Sequence, residues 1–191
     1  MHKPDHVIEI FLQPGDFYFG DRDTRIRTIL GSCVSIVCWH PTKLIGGMCH
    51  YMLATRGDRQ TGELNGKYAD EAMEMFMGEI RAAKTHPSEY QVKIFGAGNM
   101  FPKTGARKHD CDGCTPEVAY QNPISSCHKV HCRNHQVAYY LVKKYGFTIH
   151  AEHLGGEGHR QLLFDVWSGY AWMKHVQAGT SSLVHQEKSR K

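Results

Sequence analysis

An α+β fold, with strands at both ends of the chain and two helices between them, is what the sequence predicts. Three observations carry it. Extended apolar stretches cluster near residues 7–50 and again near 147–176, two windows between them repeat apolar residues at helical spacing, and Gly, Pro and polar residues punctuate the boundaries. A length of 191 residues with 41% hydrophobic content suits one core, so a single domain over 1–191 is expected.

In chain order, Val7–Leu12 alternates as a first strand and Asp16–Phe19 as a short extended piece. Cys33–Trp39 reads as a strand, His40–Lys43 as a four-residue turn and Leu44–His50 as the returning strand. The Gly- and Arg-rich stretch Ala54–Lys67 reads as a loop following the His50 strand. Tyr68–Lys84 is the clearest helix: Ala69, Ala72, Met73, Phe76, Ile80 and Ala83 share a face, and Asp70 and Glu71 sit in the first turn. A strand over Val92–Phe95 ends in a tight turn. That turn, Gly96-Ala97-Gly98, has two glycines of a dinucleotide fingerprint but no third and no helix behind it, so no nucleotide site is expected. A second helix, Arg133–Tyr145, carries Val137, Tyr140, Leu141 and Lys144 at helical spacing and stops at Gly146. Phe147–His153, Arg160–Val166 and Gly169–Val176 read as closing strands, and 177–191 as a flexible tail.

The Cys33 hairpin is the candidate for chemistry. A turn at 40–43 pairs Trp39 with Leu44, Val37 with Gly46, Ser35 with Met48 and Cys33 with His50, and directly opposed side chains in an antiparallel pair share a face. An imidazole beside a thiol can take its proton and stabilise the attacking thiolate. Cysteine is more often simply buried packing. The preceding Gly31-Ser32 favours chemistry here, because a backbone that bends at glycine can leave amide N–H groups free for a developing oxyanion.

These residues resemble a known family. Leu30-Gly31-Ser32-Cys33-Val34, Ile45-Gly46-Gly47-Met48-Cys49-His50-Tyr51-Met52-Leu53, Gly66-Lys67-Tyr68-Ala69-Asp70, Lys93-Ile94-Phe95-Gly96-Ala97-Gly98-Asn99-Met100-Phe101 and Arg133-Asn134 are similar, in order, to the chemoreceptor glutamine deamidases, CheD. The resemblance runs from about Val7 to Val166. It implies a three-layer α/β/β sandwich of mixed sheets with helices on one side, Cys33 as nucleophile, His50 as base and Thr28 as the group that orients the histidine. It further implies a substrate cleft edged by Ser32, Gly98 and Asn99, no cofactor for catalysis, and receptors of the methyl-accepting chemotaxis type as substrates. A CheC-type phosphatase is the implied further partner.

Residues 104–132 depart from that family. Cys111-Asp112-Gly113-Cys114 and Cys127 with Cys132 form two close pairs separated by twelve residues, and His109, His128 and His131 lie near. That arithmetic suits a structural zinc held by Cys111, Cys114, Cys127 and Cys132, since cytosolic thiols are kept reduced. A net charge of +4 without a basic cluster outside the last four residues gives no reason for nucleic-acid binding. The longest apolar run, Leu30–Trp39, is far below a membrane span, and no signal-peptide pattern opens the chain, so a cytoplasmic protein without membrane insertion is expected. Two other readings are a non-catalytic zinc-binding adaptor built on 104–132 and a thiol amidase acting on other substrates.

Overall fold

Alternation builds the first sheet. In β3, Thr24–Leu30, residues Thr24, Ile26, Thr28 and Leu30 are buried while Arg27 and Ile29 face solvent, a period of two that fixes one face inward. The computed structural model describes residues 3–57, 62–100 and 129–177, and the backbone of 180–186. Its first sheet has the order β1-β3-β8-β9-β10, with β1 at Ile8–Phe11, β8 at His159–Asp165, β9 at Tyr170–Gln177 and β10 at Thr180–Gln186. β1 runs parallel to β3, and the other pairs are antiparallel. The second sheet has the order β2-β5-β4-β6-β7, formed by Phe17–Gly20, Ile45–Cys49, Val34–His40, Gln91–Gly96 and Thr148–Leu154.

β4 is buried along its whole length because it is covered on both faces. On one face Val34, Ile36 and Cys38 pack against the buried sides of α1, Ala69–Ala82, and α2, Val130–Lys144. On the other, Val37 and Trp39 meet Ile26, Leu30, Leu162 and Phe164 of the first sheet. The result is three layers, α/β/β, in one domain, as the resemblance implies. β6, α2 and β7 form a parallel β-α-β crossover, and residues 101–128 fall on its first leg, after β6.

Four differences from the sequence reading have physical causes. β3 is a full strand that the reading leaves unassigned, because its buried threonines and its two arginines mask its apolar face. α2 begins at Val130, three residues before the expected start, and its buried side is Asn134, Val137, Ala138, Leu141 and Val142, while Lys144 is exposed and lies by the rings of Tyr140 and Tyr145. The stretch expected to be a flexible tail includes β10, whose backbone pairs with β9. The hairpin register also shifts.

That shift comes from His40. Its buried ring accepts from the N–H of Thr42 and Lys43 at 3.3 and 3.2 Å and packs edge-on against Tyr90, so His40 belongs to β4 and the turn is 41–44, with Leu44 at φ 51°. Pairing therefore runs Val37 with Met48, Trp39 with Gly46 and His40 with Ile45. Trp39 does not meet Leu44, and Cys33 does not directly face His50. The displacement is two residues, so every side chain keeps its face, and Cys33 becomes the diagonal neighbour of His50.

Candidate active site

Beyond β4 and β5 the ladder continues for one more pair: Val34 and Tyr51 exchange hydrogen bonds of 3.0 Å in both directions. Val34 and Tyr51 point toward the helices. Cys33 and His50 immediately precede them, so both turn the other way, toward the first sheet, and Cys33 packs at the edge of the inter-sheet core.

From that sheet Thr28 reaches inward. Its Oγ1 lies 2.7 Å from His50 Nδ1 and 2.9 Å from the Leu12 carbonyl. A carbonyl can only accept, so the threonine hydroxyl donates to Leu12 and takes the hydrogen from Nδ1–H of His50. This fixes the tautomer. His50 Nε2 keeps its lone pair, is buried, and has no hydrogen-bond partner, which is the form a general base requires.

Burial lowers the His50 pKa to about 4, against smaller opposing pulls from the Leu12 carbonyl and Asp16. The half-buried Cys33 thiol is pushed up by burial, partly offset by the Ser32 hydroxyl and its own N–H. Both groups are thus neutral at rest near neutral pH. A standing thiolate–imidazolium pair is disfavoured by the same burial. Cys38 and Cys49 are wholly buried and also pushed up, Cys49 to about 12. They are packing residues of the helix-facing core.

The loop before Cys33 is held by its carbonyls. Gly31, Ser32 and Cys33 accept, respectively, from Gly98 N–H at 2.8 Å, Asn134 Nδ2 at 3.0 Å and Ala97 N–H at 2.8 Å. With every carbonyl engaged, no backbone bond among the described residues uses the N–H of Ser32 or Cys33, an arrangement that an oxyanion site requires. The supporting turn is unusual: Gly96 has φ 124° and Ala97 φ 55°. A Cβ on Gly96 would collide with the Cys33 carbonyl, so glycine permits β6 to pass directly beneath Cys33.

Asn134 does a second job. Its Nδ2 also donates to Met52 O at 2.7 Å, and Tyr51 Oη donates to Asn134 O at 2.7 Å. One amide at the start of α2 thus ties the cysteine loop to the segment leaving His50. The sequence marks Arg133-Asn134 as a motif but assigns it no role. Gly98 is buried beneath the loop, and Asn99 is half-buried beside it, its N–H donating to Gly156 O at 2.7 Å. Arg56 holds Glu71 in a two-point ion pair and pins the loop after Met52 to α1.

Of the zinc candidates, Cys111, Cys114 and Cys127 lie outside the described residues, and Cys132 is half-buried in the first turn of α2. Among the described residues, no three His, Cys, Asp or Glu side chains converge as metal ligands, and no helix is long and apolar enough to cross a membrane.

A thiol and an oriented imidazole on a three-layer sandwich are the parts that a cysteine–histidine site of the acyl-transfer kind requires. Sequence comparison gives the family. Residues 52–175 match the family described as CheD chemotactic sensory transduction. The chain is 45% identical over 175 residues to "Probable chemoreceptor glutamine deamidase CheD" of Pseudomonas savastanoi pv. phaseolicola, covering 92% of this chain and 89% of the relative. It is 39% identical over 180 residues to "Probable chemoreceptor glutamine deamidase CheD 3" of Dechloromonas aromatica, covering 94% and 95%. A Leptospira interrogans relative, CheD 1, is 36% identical over 177 residues. The chain belongs to the CheD family.

Proposed function

We propose that this chain is a protein-glutamine glutaminase that deamidates glutamine side chains of methyl-accepting chemotaxis receptors, with Cys33 as nucleophile, His50 as general base and Thr28 as the residue that orients His50. The carrying observation is the Thr28–His50 contact, which leaves a buried, unpartnered Nε2 on the face that Cys33 shares. His50 Nε2 removes the Cys33 proton as sulfur attacks the amide carbon. The oxyanion forms opposite the N–H groups of Ser32 and Cys33. His50 returns the proton to the leaving nitrogen, the C–N bond breaks, and ammonia departs from a Cys33 thioester. Water, deprotonated by the same nitrogen, hydrolyses the thioester to glutamate. No cofactor enters this sequence, and the receptor gains one negative charge.

A protein substrate is supported by what surrounds the site. One exposed large apolar side chain, Met100, lies against Gly31, two residues before Cys33. A described cavity of about 510 Å³ lies instead by the Leu44 turn, lined by Lys3, His6, Arg22 and Trp167 among others, at the opposite end of the hairpin. A half-buried thiol beside an exposed apolar side chain, with that cavity elsewhere, suits a glutamine presented on a protein better than a small free amide. The site would act on the cytoplasmic part of the receptor. We further propose a zinc held by Cys111, Cys114, Cys127 and Cys132, and a CheC-type phosphatase as a second partner.

The test is ammonia release and intact mass of a receptor cytoplasmic fragment, with Cys33→Ala and His50→Ala in parallel. Ammonia matched by glutamine-to-glutamate conversion, and lost in both variants, is expected. Undiminished conversion by either folded variant would overturn the dyad.

A further inference from the structure

Arg160 is a wholly buried cation, 0% exposed, and no ion pair among the described residues includes it. It points between the sheets from β8, beside Leu30 of β3 and His175 of β9. Nε–H donates to His153 Nδ1 at 2.9 Å, Nη2 donates to the Gly155 carbonyl, and Nη1 is buried with no partner. Burial lowers its pKa to about 10. Carrying an uncountered guanidinium inside a sandwich costs stability, and a packed apolar side chain of similar volume is commonly neutral or better. A stable fold alone does not ask for this residue.

Its partners lead to the nucleophile. The Gly155–Gly158 turn that Arg160 holds is bonded to the Gly96–Asn99 turn three times, through Gly155 N–H to Gly96 O at 3.0 Å, Asn99 N–H to Gly156 O at 2.7 Å, and Gly158 N–H to Asn99 O at 3.2 Å. The Gly96–Asn99 turn in turn donates to the carbonyls of Gly31 and Cys33. A Cβ on Gly98 would lie 3.0 Å from Arg160 Nη1, so the guanidinium also backs this turn directly.

We infer that Arg160 is a positioning residue for Cys33: its forked donors lock the 155–158 turn, which locks the 96–99 turn, which sets the carbonyls and hence the oxyanion-facing N–H groups of the Gly31–Cys33 loop. The fork matters more than the charge, because two donors at a fixed angle reach an imidazole and a carbonyl together and an ammonium cannot reproduce that. The kinetic part of this inference rests on the deamidase reading; the structural part does not.

The experiment compares wild type with Arg160→Met and Arg160→Lys by amide hydrogen exchange and by ammonia-release kinetics on a receptor fragment. In both variants the amides of Ala97, Gly98 and Asn99 are expected to exchange at least about tenfold faster while β4 amides hold their rates. kcat is expected to fall about ten- to a hundredfold with KM little changed, as for a small misplacement of reacting groups. Unchanged exchange at 97–99 in a folded Arg160→Met overturns the inference, as does full activity in Arg160→Lys, which would assign the role to charge. Failure of both variants to fold would also overturn it, in favour of a structural residue. Should wild type release no ammonia, the deamidase reading fails, and the exchange data still decide whether Arg160 holds the loop.

Discussion

The proposed chemistry turns on a hydroxyl, an imidazole and a thiol whose protonation is set by burial. Thr28→Val leaves His50 Nδ1–H without its acceptor, and removing one partner of a buried hydrogen bond costs about 1–3 kcal/mol. Urea unfolding should show that loss, and kcat should drop about tenfold or more as the ring loses its orientation; Thr28→Ser should recover most of both. The His50 proton gives a second expectation. Its folded pKa of about 4 lies below the unfolded value near 6.5, so between these pH values the unfolded chain binds a proton that the folded chain does not. Stability should fall as pH drops through that window, by about 3 kcal/mol at most, and the slope should be absent in His50→Gln. Cys33 titrates the other way. With its pKa raised, alkylation of Cys33 by iodoacetamide should still be accelerating at pH 9; a plateau near pH 7 would mean a preformed thiolate and contradict the neutral resting dyad.

At the scale of elements, the site is a meeting of a hairpin end, a glycine turn and a helix start. Gly96→Ala combines a φ of 124° with a collision against the Cys33 carbonyl, and should cost more than 1 kcal/mol and most of the activity. Asn134→Ala removes both bonds that tie Ser32 to Met52; calorimetry should show destabilisation of about 1–3 kcal/mol. The hairpin was legible in the sequence because Pro41-Thr42-Lys43 separates two apolar runs. Its register was not, since His40 reads as a turn residue until Tyr90, remote in sequence, packs against it. Parity survived the two-residue error, so the shared face of Cys33 and His50 was legible although their direct opposition was not. The strand carrying Thr28 had a usable signal, the alternation of Ile26, Thr28 and Leu30 with Arg25, Arg27 and Ile29, hidden by the stronger apolar run that follows. Asn134 and Arg160 were also marked: asparagine inside the first turns of a helix is an unfavourable choice, and arginine on the inward parity of Leu162 and Phe164 is a poor core residue. Which groups they hold depends on contacts between distant segments, which periodicity does not encode.

For the whole molecule, the three layers put Cys33 and His50 on the middle sheet and Thr28 on the outer sheet, so the proposed site is complete only when the two sheets are stacked. In sequence, residues 101–128 lie between the turn beneath Cys33 and the helix whose Asn134 holds Ser32. If four thiolates there hold zinc, metal analysis of protein purified without chelator should find about one zinc per chain, lost on replacing Cys111 and Cys114 by Ser. The central claim is a covalent one and can be met directly. Acid quenching of wild type during turnover of a receptor fragment, followed by intact mass, should reveal a species equal to enzyme plus substrate less one ammonia, mapping to Cys33 and absent in Cys33→Ser. Ammonia release with no such species in wild type, and undiminished in Cys33→Ala, would contradict the Cys33 thioester and place the chemistry elsewhere.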